Sequence, residues 1–329
     1  MSPDKSSSQV PPLSRVAVCV HRPEIPMRYS STKTIYVFLQ LTFAFSCAIW
    51  VLMIWSGHLS MGRGLVIPAI MWCPGLAALF TCRLLGKSIK SLGWRWPQTK
   101  QLLAAYLVPL AYTSIAYGAV WTFHLGAWNS EFVQSIVNEL GLKGMPAWGA
   151  FVLSILFMAT GGVIQNASMT LGEEIGWRGL LLPELITRMS FSKTCLLSGV
   201  IWAAWHSPLL LLADYNAGTN RWYALGCFTI TCTSMSFMLA WFRLRCDSLW
   251  PAVLLHASHN VFVPIIFDNL TRDIGPTLLY TTVFGAAPAC TTAIFALYFW
   301  TQRREIQQFA SQDEASKARQ LQPDYAQAN

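Results

Sequence analysis

Residues 35–55 read IYVFLQLTFAFSCAIWVLMIW and include no charged side chain. A helix needs about 20 apolar residues to cross the hydrocarbon of a bilayer. Inside lipid, backbone N–H and C=O groups have no water to bond. A run of this length therefore reads as a spanning helix that satisfies them within itself. Moving along the chain, the same test finds further spans at 65–85, 102–125, 194–213, 223–244, 249–267 and 277–300. Another begins near Trp148 and runs toward Glu173. The expected fold class is all-α: a polytopic membrane protein of about eight transmembrane helices. Composition agrees, with 54% hydrophobic and 12% charged residues, against roughly 25% charged in soluble domains. The protein is expected to be integral to a membrane and multi-pass, in contact with membrane lipid.

The fourth span is too long to stand perpendicular, so it tilts or its last turns enter a protein-lined cavity, with Gly161-Gly162 as a bend. Pro74, in Trp72-Cys73-Pro74, is expected to kink the second span. Loop charge sets the orientation. Arg and Lys concentrate in the N-terminal tail, in the loops after spans two, four and six, and in the C-terminal tail. Only Arg63, Lys143, Arg221 and Arg272 of the 23 Lys and Arg lie elsewhere, one to each remaining loop. By the positive-inside rule both termini are cytosolic, and the Glu173–Arg178 end of span four points to the cytosol. Residues 1–33 are polar, with no apolar run of the signal-peptide kind, and are expected to form a disordered cytosolic tail. Residues 34–301 form the membrane domain, and 302–329 a polar cytosolic tail. The basic residues make no continuous stripe, which argues against nucleic-acid binding. The nine cysteines include no Cys-x-x-Cys and read as small buried hydrophobes.

Three spans carry polar side chains that hydrocarbon would exclude, and such residues are functional-site candidates. The first group is Glu173-Glu174 with Arg178. Glu174 and Arg178 are four apart and can pair on one helix face. Glu173 points elsewhere and is expected to be free. The second is Trp202-Ala203-Ala204-Trp205-His206. The third is His256-Ala257-Ser258-His259-Asn260, where His256 and Asn260 share a face and His259 lies near it as a supporting or interhelical group. Taken singly, these also fit a charged cluster at the membrane surface, a helix-packing histidine and polar glue between helices. Jointly, a carboxylate, two imidazoles and an amide are what amide hydrolysis needs: a base for water and donors for an oxyanion. The same set could hold Zn²⁺ with an open position for water.

The motifs Glu-Glu-x-x-x-Arg, aromatic-x-x-x-His and His-x-x-x-Asn, in this order, resemble the CPBP family of CAAX prenyl proteases and bacteriocin-processing or immunity-type intramembrane proteases. The resemblance covers residues 165–267, the expected protease core. The wording of 172–183 looks more like the bacterial-type branch. Leu92-Gly93-Trp94-Arg95 and the Trp72-Cys73-Pro74 helix are also similar, more weakly. The resemblance implies an intramembrane endopeptidase cleaving a membrane-associated peptide or protein, with prenylated chains among the substrates it allows. Glu173 would be the general base or a metal ligand, and His206 would help activate the water. His256 and Asn260 would bind the oxyanion or ligate a metal. Glu174 and Arg178 would orient the site or engage substrate. Trp202 stands where phenylalanine is more usual and is expected to keep the packing. The preferred mechanism needs no obligatory cofactor; the metalloprotease alternative uses Zn²⁺ on Glu173, His206, His256 and Asn260. Two non-protease readings compete: a non-catalytic scaffold or immunity-type protein, and a proton- or metal-coupled transporter. There is no His-Glu-x-x-His, no Gly-x-Ser-x-Gly and no aspartate inside a span, which argues against the other intramembrane protease chemistries.

Overall fold

The computed structural model describes residues 31–56, 65–139, 144–304 and 306. Most of the two predicted tails, with their charges, lies outside the described residues. The described residues are all-α apart from one two-residue strand pair. Helices run α1 (Ser31–Ser56), α2 (Val66–Leu84), α3 (Thr99–Thr122), the short α4 (Ser130–Glu139), α5 (Ala147–Phe157), α6 (Val163–Glu174), α7 (Leu182–Ile186), α8 (Phe191–Leu212), α9 (Arg221–Cys246), α10 (Trp250–Val261) and α11 (Ala286–Thr301).

Among the described residues, seven helical segments are long and apolar enough to cross a membrane, and the protein is an integral, multi-pass membrane protein. The segment expected as the eighth span is shorter than its sequence suggests. Residues Thr277–Leu279 make a 3-10 turn, and the helix starts only at Ala286, leaving 16 residues. Apolar composition alone could not show that Gly285 opens this helix from an extended backbone.

The fourth span is a continuous helical rod over Ala147–Ile186. At 1.5 Å per residue it is ~60 Å long, twice the ~30 Å hydrocarbon thickness. Two π-helical stretches interrupt it, Met158–Gly162 and Ile175–Leu181. The first falls at Gly161-Gly162, where the sequence suggested a bend. The second begins directly after Glu174. π turns widen a helix by one residue and often sit at functional sites. A third, Phe262–Phe267, follows α10.

Lipid-facing and protein-facing sides are both apolar, so small residues decide where helices meet. α2 crosses α6 where Gly75 meets Gly172, and Gly176 lies against Pro74. A Cβ on Gly172 would fall 2.7 Å from both the Met71 carbonyl oxygen and the Trp72 Cα. These are backbone atoms that cannot rotate away. Gly172→Ala is therefore expected to cost about 1–3 kcal/mol, the usual range for overpacking. Thermal unfolding in detergent checks this; an unchanged midpoint would mean the crossing is looser than described. α8 meets α9 in the same way, with Gly199 beside Thr233. The hydropathic stretch of α1 is 28% buried and that of α10 is 67%. α10 thus lies near the centre of the bundle.

The loops gather on two faces. On one, Leu249 donates its N–H to the Gly93 carbonyl at 2.7 Å. Arg95 reaches the Cys246 carbonyl at 2.9 Å, and Lys87 pairs with Glu184 at 2.6 Å. The Leu92-Gly93-Trp94-Arg95 stretch picked out by sequence builds this face, and Gly93 takes a left-handed φ of 97° there. On the other face, β1 (Ala127–Trp128) pairs antiparallel with β2 (Thr271–Arg272). Asn129 also donates to the Leu270 carbonyl at 2.9 Å. Neither strand, nor α4, was visible in the hydropathy pattern.

Candidate active site

The end of α6 presents two adjacent carboxylates, both buried. The π stretch after them carries Arg178, also buried, one turn on. Arg178 donates to Glu174 Oε1 at 2.9 Å and to Ser236 Oγ of α9 at 3.0 Å. Its guanidinium lies 4.5 Å from the Trp202 ring centroid, a cation–π distance. The predicted Glu174–Arg178 pair is present. Glu174 does more than pair: its Oε1 also accepts from His256 Nδ1 at 2.9 Å. Since a carboxylate oxygen accepts, Nδ1 carries the proton, and His256 Nε2 is turned to other work.

Glu173 is not free, as its position on the helix suggested. Trp202 Nε1–H donates to Glu173 Oε2 at 2.7 Å. Packing alone would make Trp202 equivalent to phenylalanine, and this bond separates them. The available signal was chemical: a buried indole N–H normally finds an acceptor. Trp202→Phe is expected to destabilise by about 1–3 kcal/mol, because a buried carboxylate oxygen loses its donor. Trp205→Phe, which removes only a 2.8 Å bond to the Ser46 hydroxyl, is expected to cost less. Melting both variants side by side checks the order, and equal losses would reduce Trp202 to packing.

His206 Nδ1 lies 3.0 Å from the Trp202 carbonyl, four residues back. A carbonyl only accepts, so Nδ1–H donates and Nε2 remains for a ligand. The ring stacks on Tyr215 at 6.0 Å with an 18° interplanar angle. His259 shares a 2.7 Å hydrogen bond through Nδ1 with the Tyr112 hydroxyl of α3. This is the interhelical role that its spacing allowed.

Glu173, Trp202, His206, His256, His259 and Asn260 all line one cavity of about 370 Å³. Glu174 and Arg178 stand behind that wall. Much of the remaining lining is apolar and aromatic, including Trp50, Met53, Phe228 and Phe284, and Phe228 packs edge-on against His206 at 5.0 Å. Three sequence motifs from α6, α8 and α10 thus converge. Thr170 Oγ1 donates to the Val253 carbonyl at 3.3 Å, which fixes α6 against α10 beside the site. Sequence reading missed Ser236, Tyr112 and Tyr215, single polar groups whose spacing carries no pattern.

Asp268 lies at the far end of the cavity, just beyond the third π turn. It accepts from the Tyr117 hydroxyl and from the Thr282 backbone N–H. Burial pushes its carboxyl up to about 6, against the opposing effect of those two donors. Thr282 holds a φ of 64°, unusual for a β-branched residue. Asp268 and Tyr117 together hold this turn in the cavity wall.

The expected zinc set of Glu173, His206, His256 and Asn260 gains no support from the cluster geometry. Among the described residues, no three His, Cys, Asp or Glu side chains gather closely enough to hold a metal ion. The metalloprotease reading finds no support in this geometry.

A polar site enclosed between the spans of a polytopic membrane protein is the class that fold and cavity define. A model of the Rce1-like type II CAAX prenyl endopeptidase family matches residues 147–262. CAAX prenyl protease 2 of Methanococcus maripaludis is 31% identical over 94 residues, which cover 27% of this chain and 34% of that relative. The matched stretch thus spans about a third of that relative's length. The helical core that carries the three motifs is the part of the chain similar to these CAAX prenyl endopeptidases.

Proposed function

We propose that the protein is a CAAX-type intramembrane endopeptidase, hydrolysing a peptide bond of a membrane-associated peptide or protein by activated-water attack. The observation that carries this reading is the division of labour between adjacent carboxylates. Glu173 faces the cavity beside His206, His256 and Asn260, while Glu174 is committed to Arg178 and His256.

In this reading Glu173 takes a proton from a water in the cavity, and the resulting hydroxide attacks the scissile carbonyl carbon. His206 accepts a hydrogen bond from that water through Nε2. Asn260 Nδ2–H donates to the oxyanion, and His256 adds a second donor when its Nε2 is protonated. Such donors commonly contribute about 3–4 kcal/mol each to the transition state. Glu173 then returns its proton to the leaving amine, so the step is balanced without a cofactor. Trp202 holds the Glu173 carboxylate in place, and Glu174 and Arg178 hold His256. A prenylated chain is one substrate that the apolar cavity wall suits.

The test compares the termini of membrane peptides in cells carrying the wild-type protein or Glu173→Ala. New termini that vanish with the variant are expected. Identical profiles, with the variant stably inserted and the wild type performing its cellular role, would favour the scaffold reading.

A further inference from the structure

We propose that Asp268 forms a subsite for a cationic side chain, so that the peptides this protein cleaves carry a lysine or arginine close to the scissile bond. This names a substrate class for the endopeptidase reading and rests on that reading for the cleavage itself.

The charges in the cavity wall point one way. Two carboxylates line it, Glu173 on α6 and Asp268 just past the third π turn, and no described lysine or arginine does. Arg178 is buried outside that lining, committed to Glu174 and Ser236. Glu173 already has its task, with Oε2 held by the Trp202 indole and the water to activate. Asp268 therefore brings into the chamber a negative charge that no described lysine or arginine answers.

Asp268 uses one oxygen to hold the wall. Its Oδ1 accepts from the Tyr117 hydroxyl and, at 3.0 Å, from the Thr282 N–H. Oδ2 receives no donor from the described residues, and it is not sealed in as Glu174 Oε2 is. The residue is half-buried and lines the cavity, so Oδ2 is the atom left to meet what enters. Holding the turn needs a single acceptor, which an amide would also supply. The charge and the second oxygen are surplus to that role. A carboxylate in an apolar wall carries a desolvation cost until a partner compensates it, and a charge-assisted bond from an ammonium or guanidinium does so. Burial raises this carboxyl only to about 6, so it is ionised at pH 7.5.

The surroundings suit a long cationic side chain. Pro264 and Ile265 precede Asp268 in the lining, and Val283 and Phe284 follow its partner Thr282. The methylene stem of a lysine or arginine packs on such apolar groups while its head reaches a carboxylate. A divalent ion would need several more oxygen ligands, and no second acidic group joins Asp268 among the described residues. Spacing sets where the cation falls. Asp268 follows Asn260 by eight residues of one helical run, ~12 Å at 1.5 Å per residue. That is the length of about three to four residues of extended peptide. With the scissile carbonyl held at Asn260, the cation lies within about four residues of the cut.

Two experiments test this, one of them without cleavage. In the first, purified protein in lipid nanodiscs at pH 7.5 is melted with dodecylammonium or with dodecanol, which share an apolar tail and differ in charge. Dodecylammonium is expected to raise the midpoint of wild type and of Glu173→Gln beyond the effect of dodecanol, as a ligand of the folded state does. Asp268→Asn is expected to lose that excess, although its amide oxygen still accepts from Tyr117 and Thr282. No excess in wild type, or an excess that disappears with Glu173→Gln and survives Asp268→Asn, overturns the proposal. In the second, Glu173-dependent termini are expected to be enriched in lysine or arginine within about four residues of the cut; termini without that enrichment overturn it. On a synthetic peptide of one such substrate, replacing that lysine by norleucine is expected to lower kcat/KM of wild type by roughly 10–100-fold, chiefly through KM. Asp268→Asn is expected to cleave both peptides alike. An Asp268→Asn protein that slows both and keeps their ratio would reduce Asp268 to a brace for the turn and overturn the subsite. Should that variant fail to fold, the ratio of the two peptides on wild type decides. A complete lack of Glu173-dependent termini would count against the protease reading, while the dodecylammonium comparison still decides the cation subsite.

Discussion

Glu173→Gln will lower the rate of peptide cleavage by roughly 10²–10⁴-fold, the range for losing a positioned general base, while the protein still folds and inserts. Glutamine keeps the length of the side chain and an oxygen that can accept the 2.7 Å indole bond from Trp202. What it lacks is the capacity to take a proton from water. The cavity wall around it is unchanged, so substrate affinity should move little and the loss should fall in kcat. Single-turnover cleavage by purified wild-type and variant protein in lipid vesicles measures it, with the thermal midpoint as control. A variant within threefold of wild type would remove Glu173 from the role of base. A variant that fails to fold would instead point to the carboxylate as a structural group, and Glu173→Asp would then be compared.

The second large effect concerns stability. Arg178→Met is expected to cost about 3–5 kcal/mol, because Glu174 would remain buried without its cation. Glu174 Oε1 would keep only His256, and Glu174 Oε2 already has no hydrogen-bond partner in the protein. The Ser236 hydroxyl would lose a donor and the Trp202 ring its guanidinium. The double variant Arg178→Met with Glu174→Gln removes both charges and should recover part of that loss, as buried pairs replaced together often do. Melting the two single variants and the double one closes the cycle. Additive losses would mean that the pair contributes no coupling. The double variant is not expected to recover activity, since His256 would lose the carboxylate that orients it.

Much of the site was legible because each motif uses helical spacing. Glu174 and Arg178, and His256 and Asn260, lie four residues apart, and a helix turns such pairs to one side whatever surrounds it. Trp202 and His206 repeat the interval. The division between Glu173 and Glu174 also follows from spacing. Which partner Glu173 finds does not, because α8 approaches α6 only in the folded bundle. Trp202 therefore looked like packing until its N–H was seen on Glu173. His256 likewise gained its tie to Glu174 only when α10 met the end of α6.

The sequence by itself determined that the chain is helical and membrane-embedded, since hydrocarbon leaves the backbone no other way to satisfy its polar groups. It also determined which charged residues would be costly enough to need a purpose. It did not determine where helices touch, because apolar side chains are equally at home against lipid and against protein. Gly75, Gly172 and Gly176 decide that, by letting backbones approach where any Cβ would collide. Tertiary structure alone gathered Glu173, His206, His256 and Asn260 around one cavity. It also tied His256 of α10 to the Glu174–Arg178 pair at the end of α6, a three-dimensional fact that no periodicity along the chain encodes.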